Sequence, residues 1–196
     1  MSDTVKVRRK TKETDIQLSL NLYGKGDATI DTGVPFLDHM LVLFAVHGFF
    51  DLEIKAEGDL HVDYHHTVED VGICLGQAVS KALGEVKGIN RYGSATVPME
   101  EALAHIHLDI CKRPYLCYKV HFPTSKIGTF DTELVEEFIR AFAVNSGITI
   151  HIHLSCGGNS HHISEAIFKA MGRALDIAVA PNVRLADKPL SSKGKL

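Results

Sequence analysis

Apolar and polar residues alternate over 16–22, with Ile16, Leu18, Leu20 and Leu22 on one side, the period-two pattern of a half-buried strand. Gly24-Lys25-Gly26-Asp27 then makes a turn to a second strand near 28–31. From Pro35 the period changes. Phe36, Leu37, Met40, Leu41, Phe44 and Ala45 recur at helical spacing and stop at Gly48. A strand over 49–56 follows, and after Gly58-Asp59 a helix runs over 65–83. Its inward stripe is Val68, Val71, Leu75, Ala78, Val79 and Ala82, and Gly84 ends it. Residues 86–92 read as a connector. The order then recurs: strands over 102–110 and 115–122, a helix over 131–145, a strand over 148–154 and a helix over 161–179.

The chain is thus β-β-α-β-α written twice. Phe44-Ala45-Val46 matches Phe142-Ala143-Val144 at an offset of 98, and His65-His66 matches His161-His162 at 96, so a two-residue difference in one loop absorbs the shift. This predicts an α+β fold, an α/β sandwich made by internal duplication, each half a small sheet with helices packed on one face. Residues 1–92 form the first half and 93–196 the second, which ends in a polar tail; together they make one compact unit.

At 196 residues and 45% hydrophobic content the chain can bury a substantial core. The net charge of -3, with no long basic run, implies neither nucleic acid nor an anionic membrane as partner. Residues 1–14 are polar and the greasiest stretch, 40–46, is too short to span a bilayer, so a cytoplasmic location is expected. Cys74, Cys111, Cys117 and Cys156 form no C-x-x-C pair and sit in apolar or strand-like segments, which suits reduced, mostly buried thiols; no spacing recommends them as metal ligands.

The compositional outlier is histidine, with 12 residues. His65-His66-Thr67-Val68-Glu69 and His161-His162-Ile163-Ser164-Glu165 are the same His-His-x-x-Glu pattern, each opening a helix. Residues four apart share a helix face, so His65 and Glu69 can chelate one ion while His66 points about 100° around the axis. Adjacent histidines therefore suit two metals better than one. Imidazole and carboxylate donors favour zinc, manganese or iron over calcium. The bland alternative is two solvated helix starts; the second copy weighs against it. Alignment of the halves also pairs His39 with Glu137, each one helix upstream of its motif, for eight donors in all, four per ion. Because duplicated halves hold their motifs apart, the two clusters are expected to meet across a subunit boundary of an oligomer. Gly72 and Gly76 share the stripe of His65 and Glu69, so something should approach that face closely.

Arg91, Arg113 and Lys169, with tail residues Ser191, Ser192 and Lys193, resemble a phosphate clamp. Each alone is ordinary surface charge. Glu13 precedes the first strand, and its counterpart in the second half falls near Glu100 and Glu101; a carboxylate beside bound substrate can act as general base.

The ordered stretches Thr11-Lys12-Glu13-Thr14, Gly33-Val34-Pro35-Phe36-Leu37-Asp38-His39-Met40-Leu41, Asp63-Tyr64-His65-His66-Thr67-Val68-Glu69-Asp70-Val71, Gly88-Ile89-Asn90-Arg91-Tyr92-Gly93 and Asn159-Ser160-His161-His162-Ile163-Ser164-Glu165-Ala166 resemble imidazoleglycerol-phosphate dehydratase of histidine biosynthesis. The resemblance covers almost the whole chain. It implies a hydro-lyase that converts imidazoleglycerol phosphate to imidazoleacetol phosphate with two Mn2+ ions, in a homo-oligomeric shell of roughly 24 subunits whose sites lie between subunits. By matching motif, His39, His65, His66, Glu69, Glu137, His161, His162 and Glu165 would bind the metals. Arg91, Arg113, Lys169, Ser191 and Lys193 would hold the phosphate, and Glu13 would be the acid/base. The chain departs from the pattern at Glu137, where many members carry histidine; carboxylate for imidazole keeps a donor and alters the site charge. The chemistry so implied makes the ring an electron sink: metals on both ring nitrogens stabilise an imidazolate that expels the neighbouring hydroxyl through a diazafulvene-like intermediate. The rival readings are a binuclear phosphate-ester hydrolase, which would call for aspartate-rich bridging ligands, and a metal-assembled shell without catalysis.

Overall fold

The computed structural model describes residues 4–186 and 188–195, so the outermost residues of both halves lie outside it. The first half comprises strands β1 (Val5–Lys10), β2 (Thr14–Asn21) and β3 (Ala28–Asp31), helix α1 (Pro35–Gly48), strand β4 (Asp51–Gly58) and helix α2 (His65–Leu83). The second comprises β5 (Tyr92–Met99), β6 (Ala102–Ile110), β7 (Tyr115–Lys119), the small pair β8 (Lys126–Ile127) and β9 (Phe130–Asp131), then α3 (Glu133–Ser146), β10 (Ile148–Cys156) and α4 (Ser160–Val179). The two sheets share one topology, β1-β2-β4-β3 and β5-β6-β10-β7, each with its last pair parallel.

The duplication holds, with one strand more in each four-stranded sheet than the hydrophobic pattern showed, and with the two-residue strands β8 and β9 besides in the second half. β1 reads VKVRRK: its inward face at a sheet edge is Val5, Val7 and Arg9, the last bonded to Asp70 of α2, so only two apolar residues alternate, too few to stand out. β5 carries Gly93 and Pro98, residues that weaken a strand signal. In the central strands the alternation is complete. Ile16, Leu18 and Leu20 of β2, and Ile148, Ile150 and Ile152 of β10, are all buried.

The helices fill the space between the sheets and belong to both halves at once. α2 packs on β1 and β2 and against α3; α4 packs on β5 and β6 and against α1. Glycine sets the closeness. A Cβ on Gly76 would lie 2.7 Å from the Phe142 carbonyl oxygen, and one on Gly172 2.4 Å from that of Phe44. These are the same contact seen from the two halves, since Gly76 precedes Gly172 by the motif offset. The duplicated phenylalanines themselves meet, Phe44 edge-on to Phe142 at 6.4 Å between ring centres. What approaches Gly72 and Gly76 is thus the α3 backbone.

A candidate metal centre and an anion pocket

Each motif helix is preceded, two residues before its histidine pair, by a side chain that accepts from the first histidine's N–H; in α4 that residue, Asn159, is the N-cap, while in α2 the N-cap position is Tyr64. The Asp63 carboxylate accepts from the His65 backbone N–H at 2.7 Å, and the Asn159 side chain accepts from that of His161 at 2.9 Å. Each of these bonds holds the turn that leads into the helix, and so helps set which way the histidines leave it.

From that start His161 and Glu165 fall on one face of α4, and His39 of α1 comes to meet them. His39 Nε2 lies 3.0 Å and His161 Nε2 3.1 Å from the same oxygen, Glu165 Oε1. The three donor atoms all fall within 4.8 Å of one another. Two imidazoles and a carboxylate converging on one point fit a transition-metal ion by donor chemistry. Burial opposes ionisation of Glu165, but hydrogen bonds from Lys169, His39 and His161 outweigh it and hold the carboxyl down to about 2, so it is a carboxylate at neutral pH. A cavity lined by Pro35, Phe36, Tyr64 and Phe130 opens beside His39 and His161.

His39 therefore joins the second motif, not the motif of its own half, because α1 packs on α4. By the same exchange Glu137 of α3 comes to α2, where it lines a cavity with Glu69. There His65 Nε2 stands 4.0 Å from Glu69 Oε2, a looser arrangement than its counterpart.

The second histidine of each pair turns to a different set of carboxylates. His66 Nδ1 is 3.0 Å from Asp59 and its Nε2 3.9 Å from Glu13; His162 Nδ1 is 2.8 Å from Glu101 and 4.0 Å from Glu100. Both histidines are raised above the usual imidazole range, His66 chiefly by its bond to Asp59 and His162 by that to Glu101. Glu101, which also accepts from the Gly158 and Asn159 N–H groups, is held down to about 2, first by His162. Glu13 and the Glu100–Glu101 pair are thus equivalents. In the sequence Asp59 stands only between the strand over 49–56 and the helix over 65–83, with nothing to tie it to His66.

A candidate anion pocket lies at the other end of α4. Arg91, Tyr92, Arg113, Ser191, Ser192, Lys193 and Lys195 line a cavity of about 520 Å³. Arg91 is 8% exposed with φ at +71°, a left-handed backbone that is uncommon for a long side chain. Its N–H donates to the Ala178 carbonyl and its carbonyl accepts from the Ile110 N–H, which hold that geometry. The guanidinium is forked onto Asp109 at 2.6 and 3.0 Å and donates to the Leu190 carbonyl at 2.6 Å, which ties down the tail. Asp109 was not foreseen; its signal was a lone acid at the outward register of an alternating strand. Lys169 is not in this pocket. Its ammonium donates to Glu165 at 2.6 Å, beside the metal-ligand cluster.

The family model for imidazoleglycerol-phosphate dehydratase matches residues 32–175. The chain is 56% identical over 196 residues to the enzyme of that name from Acetivibrio thermocellus, covering 100% of both. It is 58% identical over 190 residues to that of Syntrophobacter fumaroxidans, covering 97% of this chain and 96% of the other. The crystal structure of the Staphylococcus aureus enzyme superposes with a TM-score of 0.84 at 43% identity, covering 92% of this chain and 100% of that one. A ligand complex from Pyrococcus furiosus superposes with a TM-score of 0.83 at 37% identity, covering 97% and 100%.

Proposed function

Since the chain belongs to the imidazoleglycerol-phosphate dehydratase family, and is on that ground a hydro-lyase of histidine biosynthesis, we propose that it forms imidazoleacetol phosphate at composite sites, each assembled from two or more subunits. The observation that carries the composite site is a separation. His161 begins α4, while Arg91 is bonded to Ala178 near its end. At about 1.5 Å of rise per residue the two lie about 25 Å apart, far beyond the reach of a three-carbon phosphate ester bearing an imidazole. One subunit therefore offers the ring-binding end and another the phosphate-binding end, in a closed homo-oligomer. A 24-subunit shell, as the resemblance implies, is one such assembly.

Two divalent ions, with manganese as the first candidate, would be held by His39, His161 and Glu165 and by His65, Glu69 and Glu137; His66 and His162 of neighbouring copies would complete the sets. Such ions supply Lewis acidity to the ring nitrogens. The chain's own groups do the remainder. The rim of Arg91, Arg113, Ser191, Ser192 and Lys193 binds the phosphate, and Lys169, beside Glu165, adds charge from the subunit that holds the ring. Glu13 takes the proton from the chain carbon next to the one that loses its hydroxyl; together these leave as water, and the enol becomes the ketone. We propose a cytoplasmic setting, in keeping with four cysteines unpaired among the described residues. Among the same residues no helix is long and apolar enough to cross a membrane.

Two inactive variants test the shared site, His161→Ala at the ring end and Lys193→Ala at the phosphate end. Mixed within one oligomer they should regain turnover, because some interfaces then carry both intact ends. Mixed oligomers that form and stay inactive would overturn the composite site. Glu13→Gln should keep metal content and substrate binding while turnover collapses; normal turnover would remove Glu13 from the reaction. Release of inorganic phosphate in place of the ketone would favour the hydrolase reading.

A further inference from the structure

The outer face of the second sheet carries a second cluster of metal-binding groups that the dehydratase reading leaves unused. In β6 and β10 the residues between the buried Ile106, Leu108, Ile150 and Ile152 are His105, His107, His151 and His153. The register sets His151 opposite His107 and His153 opposite His105, while parallel β7 brings Cys117 alongside His151. Alternation then places all five on one face, with neighbouring strands about 4.8 Å apart. His105 and His107 are taken: their Nδ1 atoms pair with the Thr96 and Ser94 hydroxyls at 2.9 Å, and His105 Nε2 meets Ser155 at 2.7 Å. His151 and His153 have no hydrogen-bonding partner among the described residues, and they share a group with Cys117 whose three donor atoms lie within 4.8 Å of one another. All three are half-buried, reachable by an ion but shielded by their neighbours.

We propose that Cys117, His151 and His153 form a site for a thiophilic divalent ion of the zinc class, separate from the histidine–carboxylate centres. Two nitrogens and a sulfur are a borderline-soft donor set that favours zinc, cobalt, nickel or copper over manganese. The three side chains project from a rigid paired face, so little ordering is needed, and water completes the coordination. Burial, with Lys119 and the neighbouring histidines next, lowers His153 from the usual imidazole range and so favours its neutral, ligating form. Binding exchanges the Cys117 thiol proton for the metal: one proton leaves to solvent as one metal–sulfur bond forms.

Sulfur makes the site separable from the others by spectroscopy, because His39, His65, His66, Glu69, Glu137, His161, His162 and Glu165 include no thiol. The intact oligomer, kept in excess Mn2+, is titrated with Co2+ and followed by the near-ultraviolet thiolate-to-cobalt absorption. The band should saturate at one cobalt per chain and vanish on adding zinc. It should be lost in Cys117→Ser, kept in Cys156→Ser, and need at least tenfold more cobalt in His151→Ala or His153→Ala. No band at stoichiometric cobalt, a band surviving Cys117→Ser, or one indifferent to both histidine changes would overturn the site. A measurement without variants covers misfolding: zinc should slow alkylation of Cys117 at least tenfold relative to exposed Cys156. Equal slowing of both, or of neither, would count against the proposal.

Discussion

Replacing Gly172 by alanine sets two physical effects against each other in one methyl group. In an isolated helix the change would stabilise by about 1 kcal/mol, since alanine loses less backbone entropy than glycine. In α4 the added Cβ would stand 2.4 Å from the Phe44 carbonyl oxygen and 3.0 Å from the Gly48 nitrogen, about 1 Å inside ordinary contact with the oxygen. Both atoms are backbone of α1, so no rotamer change relieves the clash and the helices must part. With unyielding backbone on both sides, overpacking here falls in the upper part of the usual range, about 2–3 kcal/mol, which exceeds the propensity gain of about 1 kcal/mol. The expected net loss is about 1–2 kcal/mol, or a fall of roughly 2–8 °C in Tm for a chain of this size. The displacement also reaches the site, because α1 carries His39 and α4 carries His161 and Glu165, now 3.0 and 3.1 Å apart at Glu165 Oε1. Metal affinity should fall even below the melting range. Urea and thermal unfolding at fixed protein concentration, with Gly158→Ala as the open-space control, measure the first effect; calorimetric Mn2+ titration measures the second. A Gly172→Ala protein as stable as its parent, or more so, would show that the helices yield freely and that glycine does not set their spacing.

Gly76→Ala, which meets the Phe142 carbonyl at 2.7 Å, should destabilise in the same direction; opposite signs at the two sites would break the pseudo-symmetry. Asp51 accepts from the Lys25 and Asp27 N–H groups at 2.7 and 3.3 Å, and these bonds, the Lys25 one first, hold its carboxyl below the ordinary range. Its contribution is present in full above the unfolded value of about 3.9 and lost as pH falls through the lower folded value. The stability difference between the parent and Asp51→Asn, from urea curves, should therefore be constant near neutrality and shrink in acid; a gap that widens in acid would refute this. Asp109→Asn should cost about tenfold in kcat/KM, chiefly through KM, by releasing the fork that aims Arg91; an unchanged KM would detach Arg91 from phosphate binding. The Cys74 thiol, pushed up to about 12 by burial and by Asp70, should resist alkylation until the protein unfolds, whereas Cys156 reacts in the native state.

The sequence by itself determined the two kinds of periodicity, the duplication and the pairs of histidines, because each is a local property: alternation follows from the pleat, and the His–Glu spacing of four from the helical turn. It also held the family resemblance. It showed the β1 and β5 edges poorly, since an edge strand buries too few side chains to print a pattern. Partner choice lay beyond it. That His39 joins Glu165 across the halves, that Asp59 and Glu101 take the second histidines, that Asp109 aims Arg91, and that Cys117 stands beside His151 all depend on which helix packs on which and on strand register. The separation of His161 from Arg91 along α4 is of the same kind. Only the tertiary structure decided these, because they are fixed by close approach between segments up to 126 residues apart, where the packing of glycine faces and the pairing of strands, not the order of residues, sets the distance.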